Sequence, residues 1–124
     1  MEWRNILSAP TPTAPTIPLS PEVRTAYEDL YAKNQTAIEG TLDFDLLSAL
    51  NASQLDIGGL LSSDDQYRLN ADSAQFQAML TQINTTNGGL KTLQTKIAGI
   101  AGGVAKFGTV VGAIDKVLSL IPGV

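Results

Sequence analysis

A chain of 124 residues with 44% hydrophobic but only 6% aromatic content can bury one self-contained core. That core must be built from Leu, Ile, Val and Ala, which suits helix-on-helix packing better than a sandwich of sheets. Cysteine and histidine are both missing, which excludes disulfides, thiolate or imidazole metal sites, and Ser-His-Asp or Cys-His catalysis within one chain.

The net charge of −4 is unevenly spread. Residues 1–75 hold eleven acids and four bases; residues 76–124 hold Asp115 against Lys91, Lys96, Lys106 and Lys116. An acidic front and a basic back would attract each other within a chain or between subunits, and the basic part would suit an anionic membrane surface. Four scattered lysines make no dense phosphate-binding patch, so no nucleic-acid partner is expected.

The first residues, Met-Glu-Trp-Arg-Asn-Ile-Leu, lack the basic start and apolar run of a secretory signal. The expected site of synthesis is the cytoplasm, with incorporation into a virion or a leaderless-exported assembly as the other route. Residues 8–21 contain five prolines, each of which fixes φ and removes an amide donor. Residues 1–20 therefore read as an extended, Pro-rich arm, with Trp3, Ile6 and Leu7 at its tip as an anchor on a neighbouring subunit.

Residues 21–62 read as short N-terminal helices. Ser20 suits an N-cap, Pro21 the first helical position, and Glu22 the positive end of the helix dipole. Val23, Tyr27, Leu30, Tyr31 and Ile38 recur at helical spacing, and Gly40 reads as the stop, which predicts a helix over 21–39. Thr41 or Asp43 can cap a second helix over 43–53, with Phe44, Leu46, Leu47 and Leu50 on its apolar side. Gly58-Gly59 predicts a break, with Leu55, Ile57, Leu60 and Leu61 buried around it. Ser63 and Gln66 have the spacing of a capping box, so a third helix is expected to begin there.

Residues 63–124 carry a heptad. With position a at Leu69, all eight a positions are apolar, as are six of the eight d positions. From Leu90 the 3-4 spacing is unbroken through Leu93, Ile97, Ile100, Val104, Phe107, Val111, Ile114, Leu118 and Ile121, the pattern two or more helices need to keep a seam in contact. Thr85-Thr86-Asn87-Gly88-Gly89 interrupts it as a turn signal and favours a helical hairpin, 63–86 folding back on 90–121. The heptad nevertheless keeps its phase across those residues, which favours one long coiled-coil helix of about 88 Å. Gly99, Gly103, Gly108 and Gly112 flank the seam as small-xxx-small pairs that admit close packing of backbones.

The same small-residue stretch admits a membrane reading. Ile97–Ile114 spans 18 residues with Lys106 as its one charge, and residues 97–121 would insert into a bilayer or lie on it. Acidic neighbours at Asp43 and Asp45 and at Asp64 and Asp65 fall at predicted helix starts and read as caps, and Tyr27, Tyr31 and Tyr67 as packing residues. No calcium-loop or phosphate-loop spacing occurs. No catalytic residue, metal ligand or cofactor site is therefore expected. The expectation is an all-α small helical bundle with a C-terminal hairpin or long coiled-coil helix. It would act as a non-enzymatic structural or adaptor subunit that associates with itself or with other helical proteins.

Overall fold

The computed structural model describes residues 19–70 and 72–120; the Pro-rich arm, its anchor Trp3, Ile6 and Leu7, and the last seam residue Ile121 lie outside them. The described residues are all-helical. Three long helices, α1 (Pro21–Gly40), α2 (Phe44–Leu69) and α3 (Ser73–Ala98), are followed by the single turn α4 (Gly103–Lys106) and by α5 (Gly108–Leu120).

Local chemistry accounts for most of the boundaries. Ser20 is extended and its hydroxyl accepts from the Val23 amide, with Pro21 in the first turn as predicted. Asp43 caps α2 by accepting from the Leu46 amide at 2.9 Å, and Asp72 caps α3 by accepting from Ala74 and Gln75. Each carboxylate satisfies amides that the helix leaves without an internal partner.

Three predicted breaks are not breaks. The second helix does not stop at 53 but runs through Gly58-Gly59 and past residue 63 to Leu69. The supposed capping box at Ser63 therefore lies within the last two turns of α2, and the third helix begins at Ser73 instead. Asn87-Gly88-Gly89 lies inside α3, so the hairpin predicted at that point does not form. Packing overrides the glycine penalty of about 1 kcal/mol per residue. A Cβ at Gly58 would meet the Tyr31 ring at 3.6 Å, and one at Gly89 would meet the Asp56 carboxylate at 3.5 Å. Both are ordinary contact distances, and Gly59 and Gly88 would meet nothing within 4 Å, so no close approach demands glycine here; the packed partners hold the helix through them.

The real break comes later. Residues 99–102 turn, with Gly102 at φ 71 in the left-handed region that a side chain disfavours, and Phe107 separates α4 from α5. A single stem over 63–121 is thereby excluded as well. No described helix is long and apolar enough to cross a membrane, and residues 97–121 do not form one helix.

The four main helices make an antiparallel bundle of up-down-up-down order. α1 packs beside α2 and α5, and α3 packs beside α2 and α5, so α1 lies diagonally opposite α3. Arg24, early in α1, meets Asp64 and Asp65, late in α2; Gly40 and Ala37, late in α1, share a cleft with Phe107 and Val110, which start α5. The 41–43 and 99–107 connections therefore share one end of the bundle, and the 70–72 turn lies at the other. The core is aliphatic, with Leu30, Leu46, Leu50, Ile57, Leu60, Met79, Leu90, Leu93, Ile97 and Ile114 fully buried around Tyr27.

Candidate interaction surface

The heptad residues divide into two groups at the 99–107 turn. Leu90, Leu93 and Ile97 are fully buried, as is Met79, and Ile83 is nearly so; on α3 the predicted stripe is the core stripe of this bundle. Beyond Ile97 the pattern and the packing part company. Ile100 is half-buried and Val104 is 54% exposed. Phe107 and Ile114 are buried, but Val111 and Leu118 are only half-buried. The neighbouring Val110, Ala113 and Val117 take the buried positions instead. The turn rotates α5 so that its inner face is displaced by one residue from the heptad at these places.

The close-packing glycines also divide. Gly103 is buried, and an added Cβ there would collide with the Ile97 carbonyl oxygen. Gly99, Gly108 and Gly112 are exposed, and no side chain of another helix would touch a Cβ added at any of them. The Gly103 contact is made within the 97–103 turn, not between the backbones of two packed helices.

A surface the sequence did not single out lies at the end formed by the 41–43 and 99–107 connections. Leu42 is 100% exposed, Phe44 79%, and Val104 projects from the adjoining turn. Around Val104 stand the exposed small residues Ala98, Gly99, Ala101, Gly102 and Ala105. Charges at this rim are few: Asp43 and Asp45 flank Phe44, and Lys106 lies over the Phe107 ring at 5.5 Å. Phe44 was expected on the apolar side of its helix. It lies two residues before the buried Leu46, about 200° around an α-helix, and so points away from the core. Leu55, two residues before Ile57, is exposed for the same reason, contrary to expectation.

The opposite end is polar and braced. Asp64 is completely buried, and its Oδ2 accepts from Arg24 Nη1 and Arg68 Nε, both at 2.7 Å. Arg24 also bonds Glu28 and Asp65, and Arg68 donates to the Leu19 carbonyl at 2.9 Å. The neighbouring carboxylates hold the Arg24 guanidinium more firmly protonated than usual. Asp64 and Asp65 are therefore not helix caps: they tie the start of α1 to the end of α2. Between the two ends, the buried Tyr27 hydroxyl donates to Asn87 Oδ1 at 2.7 Å across the bundle diagonal. Burial raises the Tyr27 phenol above its ordinary range, partly offset by that hydrogen bond.

A groove of about 540 Å³ between α1 and α5 is lined by Pro21, Glu22, Thr25, Ala26, Asp29, Ala113 and Lys116. Its polar lining is two acids, a lysine and the Thr25 hydroxyl. Among the described residues no group of three or more carboxylates is placed to hold a metal ion. Comparison with protein-family models, with curated proteins and with solved structures finds no match for this chain.

Proposed function

We propose that the protein is a non-enzymatic structural or adaptor subunit of a larger protein assembly, and that it meets its neighbours through the apolar end of the bundle. The observation that carries this reading is the exposure of Leu42, Phe44 and Val104 at one end of the bundle, whereas the exposed Leu55 and Leu69 stand singly elsewhere. Single exposed apolar residues are ordinary on any surface, but several at one end, with Asp43 and Asp45 beside Phe44 and small residues beside Val104, leave apolar area that a partner would cover. The heptad supports association only in part, because Leu90, Leu93 and Ile97 are already occupied inside the chain. The apolar end takes over the role that the sequence assigned to a free seam.

The test is native mass by light scattering over a wide concentration range, for the wild type and for Leu42→Ser/Phe44→Ser. Both side chains lie outside the core, so the variant is expected to keep its helicity and to unfold within about 0.5 kcal/mol of the wild type. The wild type should exceed the 13.1 kDa of one chain as concentration rises, and the variant should not. A wild type that stays at one chain mass throughout sinks the self-associating form of the proposal. Flotation with anionic vesicles, abolished by the same substitutions, would transfer the surface to the membrane reading.

A further inference from the structure

We infer that the partner at the apolar end is a second copy of this chain, and that the two copies exchange α5 by straightening residues 99–107 into helix. This deepens the proposed self-association and rests on it.

The starting observation is a pattern with no use in the folded bundle. A turn places no demand on heptad phase, yet the 3-4 spacing runs unbroken from Ile97 through Ile100, Val104 and Phe107. In the bundle the two middle positions of that run are the poorly used ones: Ile100 is half-buried and Val104 mostly exposed. In a continuous helix from Ser73 to Leu120, about 72 Å long, the same four residues form one apolar stripe at the centre.

Little of the turn has to change. Gly99 is already right-handed helical at φ −80, ψ −7, and Gly103–Lys106 is already a helical turn. The residues that must move are Ile100, Ala101, Gly102 at φ 71, and Phe107 at φ −114, ψ 28. Straightening them carries α5 away from its own α1 and α3 and presents it to the same surfaces of a second copy. The contacts of α5 with α1 and α3 are then remade between chains, which is what makes exchange of an element a low-cost route to a dimer. The two bundles meet end to end. Leu42 and Phe44, which no described residue covers, then face the junction, and the central stripes of the two straightened helices lie against each other there.

Two glycines hold the closed form. A side chain at Gly102 would be strained at its positive φ, and one at Gly103 would collide with the Ile97 carbonyl oxygen. Neither penalty applies in a straight helix, where alanine is the better residue. Gly102→Ala/Gly103→Ala should therefore favour exchange. The left-handed penalty alone is worth about fivefold or more per hinge, and a dimer has two hinges, so dimerisation should tighten at least about twentyfold.

The decisive measurement uses the natural lack of cysteine. Ala26 on α1 and Ala113 on α5 line one groove, so single variants Ala26→Cys and Ala113→Cys place one thiol on each side of the exchanged interface. The two are mixed at a concentration where the wild type dimerises, opened in mild urea, returned to buffer and oxidised. Exchange predicts a covalent pair containing one chain of each kind, in excess over pairs of like chains, and more of it in the double-alanine background. A dimer by light scattering with no mixed disulfide overturns the exchange and leaves end-to-end association standing. If no dimer is detectable in either background, both fail together. Should the double variant not fold, Gly102→Ala alone and the wild-type disulfide test still decide the matter.

Discussion

Replacing Asn34 with leucine should make the bundle more stable. Asn34 lies on the core stripe of α1, between Leu30 and Ala37, and is fully buried. Its Nδ2 and its Oδ1 both lack a hydrogen-bond partner among the described residues. A buried polar group without a partner costs about 1–3 kcal/mol, and here both ends of one amide are in that position. Leucine has the same branching but bulkier methyl ends, removes both groups and adds apolar burial; overpacking takes back about 1–2 kcal/mol. The net expectation is a gain of about 2–4 kcal/mol. In urea, with an unfolding slope of about 1.5 kcal/mol/M, the midpoint should rise by about 1–3 M at unchanged slope. Asn34→Ala separates the contributions, since it removes the amide but leaves a cavity and should change stability far less. A leucine variant that loses more than about 1 kcal/mol would refute the reasoning. It would mean that the amide is satisfied in solution, for example by a water held between its two ends.

Three further substitutions test other parts of the fold. Gly88→Ala should stabilise by about 0.5–1 kcal/mol in thermal unfolding, because residue 88 is exposed mid-helix and nothing lies within 4 Å of the added Cβ; a loss would restore the turn expected at Asn87-Gly88-Gly89. Asp64→Ala should cost about 2–3 kcal/mol by urea titration, below the 3–5 typical of a broken buried pair. The moderation comes from Arg24 and Arg68, whose side chains are 23% and 34% exposed and can turn to water. Tyr27 carries a pH dependence, because burial raises its phenol above the unfolded value of 10.0. Its contribution is complete below that pH and falls by about 1.4 kcal/mol per unit above it, until the folded phenol itself ionises. Tyr27→Phe should flatten the difference in unfolding free energy between pH 9 and 11, and an unchanged slope would count against the assignment.

The helical class, the start of α1, the Asp43 cap and the core stripe of α3 were legible in the sequence because each depends on neighbours within one or two turns. Ser20-Pro21-Glu22 needs nothing beyond its own helix, and Met79, Ile83, Leu90, Leu93 and Ile97 follow from periodicity alone. The breaks were not legible, because a glycine that a packed helix tolerates looks like one that a turn requires. Gly58 and Gly89 lie inside helices beside Tyr31 and Asp56, whereas Gly102 supplies a backbone turn. Local propensity prefers a break at each of them, and only the packed neighbours decide otherwise. The apolar end was hidden for a related reason. Leu42, Phe44 and Leu55 count as hydrophobic in any window, and only their angular position relative to Leu46 and Ile57 shows that they face outward.

The one polar d position inside α3, Thr86, marks something that an apolar reading of the heptad passes over. Thr86 is buried, and its neighbour Asn87 takes the hydrogen bond from Tyr27 on the diagonally opposite helix. Aliphatic side chains alone tolerate a slide of one helical turn, since Leu against Ile differs little from Leu against Val. The Tyr27–Asn87 pair does not tolerate it. Moving α1 by one turn, about 5.4 Å, would bury the hydroxyl and the amide without partners, at about 1–3 kcal/mol for each. The bond therefore sets the height of α1 against α3, while Arg24 on Asp64 sets it against α2. With both registers fixed, Gly40 comes level with Lys106 and Phe107, and the 41–43 turn is held beside the 99–107 turn. Helix order already puts Leu42, Phe44 and Val104 at one end, and the polar interruptions of the core fix their relative heights there.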